Sequence, residues 1–420
     1  MFRPLAAAAL AALLCLMAPG RDALGKVYID ITSPQTAMPL AIHDFSGPRG
    51  REISDVLAGD LGFTGLFIML DRKAFVEQPA QPFNPRNWSV IGADAVVKGE
   101  TEAQDGRLTA TVHLYDVFEG REVLRKRYTA SETLLRPMAH SIANDIYEKI
   151  TGRPGVFRTT MAYLVQEGGS TEIQLSDWDG GRTRRLGIRA DAMLGPRWSG
   201  DGTGLLYSAK RGRGWNIYYL DFEKRKESLV LSMPGTNMAG DFFPGSRQFA
   251  LSSSAQGSPD IYTHDMARSS PTRLTSMSGI EVSPAVSPDG MTIAFVSDRT
   301  GTPQIYTMDK FGYNMARVTY EGQYNTSPAW SPKGDILAFS GRHEGKNQVF
   351  IVRPDGTGLQ RLTDLGNNED PSFSPDGRFI VFTSDRDGVK GLYIMRANGE
   401  GQTRISPAGV RAFAPRWSPE

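Results

Sequence analysis

The sequence predicts a mixed α/β amino-terminal domain followed by an all-β six-bladed propeller, and three features carry that expectation. A motif of the form aromatic-Ser-Pro-x-Gly returns every 43 or 44 residues, anchored at Trp198, Phe242, Val286, Trp330, Phe373 and Trp417. Each repeat holds four short apolar runs divided by turn residues. The first and last repeats are incomplete, and each has what the other lacks. A fixed period of this size marks units that cannot bury an apolar face alone and stack to do so.

The clearest unit shows its parts. Ser283 to Gly290 leads into Thr292–Ser297, then through Asp298–Gly301 to Gln304–Met308 and finally Ala316–Thr319. Short runs of Ile, Val, Phe and Tyr split by Asp-Gly pairs such as Asp289-Gly290 and Asp376-Gly377 predict an antiparallel meander, because Asp and Gly tolerate the positive φ of tight hairpins. A helical solenoid would need 3.6-residue periodicity over ten or more residues. Four strands per period fit a propeller blade.

The ends give the blade count. Pro415 to Glu420 supplies only an innermost strand, whereas Phe157–Val165 and Glu172–Asp177 read as later strands of a blade without its first. Pairing them closes the ring without a free sheet edge, giving five continuous blades and one composite.

Ahead of the ring lies a different pattern, and we expect three segments: residues 1–25 as a signal peptide, 26–152 as the α/β domain and 153–420 as the propeller. Arg3 precedes an apolar stretch from Leu5 to Met17, too short to span a bilayer, which Pro19-Gly20 ends; Ala23 and Gly25 suit small-residue cleavage positions. Cys15 is the single cysteine and falls inside this segment, so no disulfide is expected after export. In the α/β segment, Val27–Ile31 alternates as a strand, Gly50–Asp60 has helical spacing, and Leu66–Met69 and Ala93–Val97 read as buried strands. Leu108–Val117 and Glu122–Tyr128 form a hairpin across Glu119-Gly120, and Thr133–Ile150 carries helical spacing up to Gly152-Arg-Pro154. Pro79, Pro82 and Pro85 mark a surface loop.

Composition and motifs exclude several functions. Beyond residue 25 the chain has 45 basic and 45 acidic residues with no like-charged run, so nothing points to nucleic acid. There is no Gly-x-Ser-x-Gly elbow to carry a hydrolase triad. His43, His113, His140, His264 and His343 lack the spacing and cysteine partners of zinc sites, and we expect ordinary structural roles, no metal and no cofactor. Asp298-Arg299 and Asp385-Arg386 recur at one turn of two blades and read as a turn-capping Asp beside a solvated Arg. Gly200–Gly204 reads as a hairpin rather than a phosphate cradle.

Taken together, the segment Phe157–Gln166, the run Trp88–Val97, the Ser-Pro-Asp-Gly blades and the terminal Pro-Arg-Trp-Ser-Pro resemble the TolB family of periplasmic Tol-Pal components. The likeness covers nearly all of the chain after the signal segment. Gly200 stands where a proline is usual, and Gly245-Ser246 where Asp-Gly is usual, so those two hairpins are expected to differ locally. The resemblance implies a monomeric, non-enzymatic binding protein of the periplasm, without membrane insertion, serving envelope integrity and division. It implies two partners, the lipoprotein Pal at the propeller mouth and TolA at the mature amino-terminal segment, Lys26, Val27, Tyr28, Ile29, Asp30 and Ile31. Connections from one blade's outermost strand to the next innermost strand gather at one end of the channel, which puts Asn237, Met238, Glu281, Val282, Ser283, Asn325, Thr326, Asn368, Glu369 and Asp370 around that mouth. The competing class is a propeller hydrolase or lactonase with a metal in its channel, which would need histidines and carboxylates converging there.

Overall fold

The computed structural model describes residues 37–268 and 270–419. The signal segment and Lys26 to Ile31 lie outside the described residues. In the α/β part, β1 (Met38–Ile42), α1 (Gly50–Phe63), β2 (Phe67–Met69), the short α2 (Pro85–Ser89), β3 (Ala95–Gln104), β4 (Arg107–Asp116), β5 (Arg121–Ser131) and α3 (Leu135–Thr151) follow in order. The sheet runs β2-β1-β3-β4-β5, parallel on either side of β1 and antiparallel from β3 onward.

Periodicity explains what each element buries. Leu108, Ala110, Val112 and Leu114 alternate along β4 onto the core face. Against them pack Ile53, Leu57 and Leu61 of α1 and Met138, Ile142, Ile146 and Ile150 of α3, all spaced by three or four residues. Gly152 ends α3 with φ 71°, its amide bonded to the Glu148 carbonyl at 2.8 Å, the left-handed cap that glycine adopts without a Cβ penalty. The proline loop is tied down rather than loose: Lys98 Nζ of β3 donates to Glu77 Oε2 at 2.8 Å and to the Gln81 carbonyl at 2.6 Å, with both charged side chains buried.

The remaining strands form six four-stranded antiparallel sheets, five continuous in sequence and one composite. In the composite blade Ala412–Trp417 is the innermost strand and pairs with Thr160–Glu167, Ala412 opposite Val165 and Trp417 opposite Met161. All six repeat anchors fall on the last residue of an innermost strand.

The hairpin that follows explains the motif. Ser287 Oγ donates to Asp289 Oδ1 at 2.5 Å and accepts from the Thr292 amide, Asp289 also accepts from the Met291 amide, and Gly290 takes φ 70°. Ser374, Asp376 and Gly377 repeat this geometry. So do Ser199 and Asp201, despite Gly200. Where Phe243 and Gly245-Ser246 replace Ser and Asp-Gly, the Ser246 hydroxyl accepts from the Gln248 amide at 3.2 Å, the bond that the Ser287 hydroxyl makes with Thr292 in the regular hairpin.

The two parts share a core. Phe63 of α1 lies 5.4 Å from Phe379 and 5.6 Å from Trp178, and Phe157 bridges Tyr147 of α3 to Trp178. Each such ring contributes about 1.5–3 kcal/mol on burial, so the domains are joined by an apolar seam rather than a tether. The seam uses the Ser374–Arg378 hairpin and the Asp177–Arg182 turn, so the α/β domain sits at the end of the propeller opposite Asn237, Glu281, Asn325 and Asn368. No helix among the described residues is long and apolar enough to cross a membrane.

Candidate docking mouth of the propeller

The ten mouth residues open four innermost strands, Asn237–Phe242, Glu281–Val286, Asn325–Trp330 and Asn368–Phe373. They divide into two groups. Asn237, Glu281, Asn325 and Asn368 are each at most 2% exposed and face the blade interior. Asn325 Nδ2 donates to Gln304 Oε1 and to the Glu321 carbonyl, both at 2.8 Å. Asn368 repeats this with Gln348 and Leu365, and Asn237 with the Trp215 and Met233 carbonyls. The three asparagine amides satisfy buried backbone and side-chain groups and Glu281 pairs with Arg299, so these four frame the mouth from within.

Met238, Val282, Ser283, Thr326, Glu369 and Asp370 are partly exposed. Ser283 and Asp370 take φ 55°, as Ser327 does at 52° and Ala414 at 51°, one left-handed residue at the same place in four blades. Each coincides with a register shift, a bulge that re-aims the strand at the channel. Ser327 Oγ then reaches Asp370 Oδ1 at 3.0 Å across adjacent blades, while Glu369 pairs with Lys390 at 2.5 Å and accepts from Asn347 at 2.7 Å.

Beneath them the charge reading of the turns needs correction. Arg299 and Arg386 are not solvated. Arg299 lies 4.8 Å over the Tyr306 ring and pairs with Glu281, and Arg386 lies 4.7 Å over Tyr393 and donates to Asn368 Oδ1 at 3.0 Å. Burial holds Arg386 below the usual guanidinium range. Asp298 and Asp385 accept from the Ile280 and Asn367 amides at 2.7 Å, fixing the loops that enter the innermost strands. The mouth is therefore rigid.

Sequence reasoning missed an apolar rim on those same loops. Met277, Ile280, Tyr324, Leu365 and Val389 are all exposed, Leu365 at 63%. Their signal was position, immediately before an innermost strand or in the loop beside it. Exposed apolar groups clustered over a polar, hydrogen-bonded channel end are the composition of a recognition surface.

Inside the channel Arg197 Nε pairs with Asp241 Oδ1 at 2.9 Å, and burial together with Arg197 pushes the Arg416 guanidinium down to about 10. The innermost strands carry no histidine. With Asp370, whose charge also acts on Arg416, the set offers two cations and two carboxylates, without the converging imidazoles that a metal-dependent hydrolase would use. Among the described residues one trio brings potential metal donors within 4.8 Å of each other, Asp60, His140 and Asp179, far from the mouth at the domain seam. Arg136 already neutralises Asp179 there, and Trp178 donates to Asp60.

A family model described as the TolB beta propeller domain matches residues 147–420, and one described as the TolB amino-terminal domain matches residues 27–123. The chain belongs to the TolB family. The crystal structure of TolB from Acinetobacter baumannii superposes with a TM-score of 0.83 at 26% identity, covering 92% of this chain and 98% of that one. The Tol-Pal system protein TolB of Desulfosudis oleivorans is 34% identical over 268 residues, a match that spans 60% of each chain. A chain of the nidogen/laminin complex, at 10% identity and TM-score 0.51 over 62% of this chain, shares the fold alone. The six-bladed ring behind a small α/β domain is thus the TolB architecture.

Proposed function

We propose that this TolB-family chain is a periplasmic, non-catalytic binding component of the Tol-Pal envelope system, which docks the lipoprotein Pal at the propeller mouth and TolA through Lys26–Ile31, in support of outer-membrane integrity and cell division. The observation that carries the reading is the apolar rim of Ile280, Tyr324 and Leu365, with the Ile280 and Leu365 loops clamped by Asp298 and Asp385. A preorganised rim spends little ordering entropy on binding, which favours recognition of a folded partner. The relative named as a Tol-Pal system protein supports the system assigned.

Within this reading Met238, Val282, Ser283, Thr326, Glu369 and Asp370 meet the lipoprotein together with the rim, and the buried Asn237, Glu281, Asn325 and Asn368 act through the shape they impose. The test is capture from envelope extract by the immobilised mature chain. Recovery of Pal and TolA, with Pal lost on substitution of the rim, is the expected result; recovery of neither excludes the assignment.

A further inference from the structure

The seam between the domains encloses a charge cluster that docking at the mouth does not use. His140 on α3 is 2% exposed, Asp60 on α1 is 1% exposed, and the His140 Nδ1 lies 2.7 Å from Asp60 Oδ2. The other ring nitrogen, Nε2, faces Asp177 Oδ2 of the composite blade at 3.6 Å. Trp178, next in the chain, donates its indole N–H to Asp60 Oδ1 at 3.2 Å. The ring of one domain thus stands between a carboxylate of its own domain and one of the propeller.

The surrounding charges decide its protonation. Facing the ring are Asp60 from α1 and Asp177 and Asp179 from the propeller turn; Arg136 of α3 pairs with Asp179, and Arg182 with Asp177 at 3.1 Å. Arg404 of the neighbouring blade and Asp55 of α1 line the same cleft, of about 330 Å³, which opens onto Asp60, Trp178 and Asp179. Three carboxylates at the ring against two guanidiniums leave one negative charge over when the ring is neutral. A neutral ring also donates from one nitrogen only, so its other lone pair would meet a carboxylate oxygen. An imidazolium removes both problems.

We infer that His140 is a proton-operated clasp between the two domains: charged, it bridges Asp60 and Asp177, and on losing its proton it lets go of the propeller side and loosens the seam. Burial works against the charged ring, but the facing carboxylates of Asp177 and Asp60 prevail and raise it to about 9. Burial likewise raises Asp60 to about 6, against its bonds to His140 and Trp178. The signs follow. A raised histidine stabilises the docked state fully below its unfolded value of about 6.5 and loses that contribution as pH climbs through about 9. The raised Asp60 costs stability in a separate window, as pH rises from about 3.9 through 6. Rising pH therefore weakens the seam in both ranges, and the ion pair exists between the two folded-state values, about 6 and about 9.

Ring-nitrogen NMR on the histidine-labelled full chain tests this, with the His140 signals assigned by their absence in His140→Gln. The expected result is a midpoint near 9, both ring nitrogens protonated at neutral pH, and a lower midpoint in Asp177→Asn. Hydrogen exchange, corrected for its intrinsic pH dependence, should also quicken about tenfold or more in residues 176–182 above the midpoint, since each pH unit beyond it is about a factor of ten in the linked equilibrium. A midpoint at or below the usual value of about 6.5, or one unmoved in Asp177→Asn, overturns the clasp. Should His140→Gln fail to fold, Asp177→Asn supplies both the assignment and the shift.

Discussion

The Trp417 indole nitrogen donates to the Thr159 hydroxyl at 2.6 Å across 258 residues of sequence. Next to it the Ser418 amide reaches the Thr160 carbonyl at 2.8 Å, and the Thr160 amide reaches Ser418 Oγ at 3.0 Å. The two ends of the propeller are therefore latched at the composite blade, where Trp417 also stacks 6.3 Å from Phe379 and so joins the interdomain core.

Trp417→Ala should cost about 3–5 kcal/mol, the usual loss for a large buried aromatic, and Thr159→Val about 1–3 kcal/mol for an orphaned buried donor. Deleting residues 414–420 removes four of the six residues of the closing strand as well and should open the ring. Urea unfolding measures all three; a truncated chain that unfolds at the same midpoint as the full chain would show that the latch contributes nothing.

The Glu77–Lys98 pair gives an independent prediction for the α/β domain. Lys98→Met leaves a buried carboxylate whose remaining partners are the Asn84 amide and the Asn87 side chain. Stripping one partner from a buried pair costs about 3–5 kcal/mol. The double variant Glu77→Gln with Lys98→Met should recover much of that loss, and a double variant as unstable as the single one would show that packing, not the uncompensated charge, sets the cost.

Why the ring was legible and the clasp was not is a matter of sequence distance. Trp198, Phe242, Val286, Trp330, Phe373 and Trp417 repeat because each closes the same strand, so one sequence displays six copies of one solution. The strands β3 and β4 and the helices α1 and α3 declared themselves by alternation and helical spacing. His140 meets Asp60 and Asp177 over separations that no local pattern records, and it read as an ordinary core histidine. Arg299 and Arg386 read as solvated because an Asp-Arg turn does not reveal that aromatic rings of the adjoining strands lie beneath the guanidinium. At the mouth, strand starts were placed correctly in sequence, yet which of them turn inward depends on partners such as Gln304 and Gln348 from the blade before.

Charge reversal at Glu369 and Asp370 together should weaken lipoprotein binding about tenfold or more, with the melting temperature shifting little, because both sit partly exposed at the channel rim, as do their partners Lys390 and Ser327. Calorimetric titration reads the affinity; an unchanged value removes both residues from the docking surface.

Removal of Lys26–Ile31 should abolish TolA binding and leave lipoprotein binding in place. The described sheet pairs five strands from Met38 onward, and the α/β domain is expected to stay folded in the shortened chain. Retained TolA binding, or loss of the domain's helical signal by circular dichroism, would make the segment structural.

The central claim, recognition of the lipoprotein at the mouth, is tested most directly by titrating purified Pal into three proteins. These are the native chain, Tyr324→Ala with Leu365→Ala at the mouth, and Phe311→Ala with Tyr313→Ala at the opposite end of the ring, where both residues are exposed. The account predicts saturable binding by the native chain, a loss of about thirtyfold or more at the mouth, where a buried interface aromatic is worth about 2 kcal/mol or more, and no change at the opposite end. Binding that survives the mouth substitutions and falls with those at Phe311 and Tyr313 would contradict it.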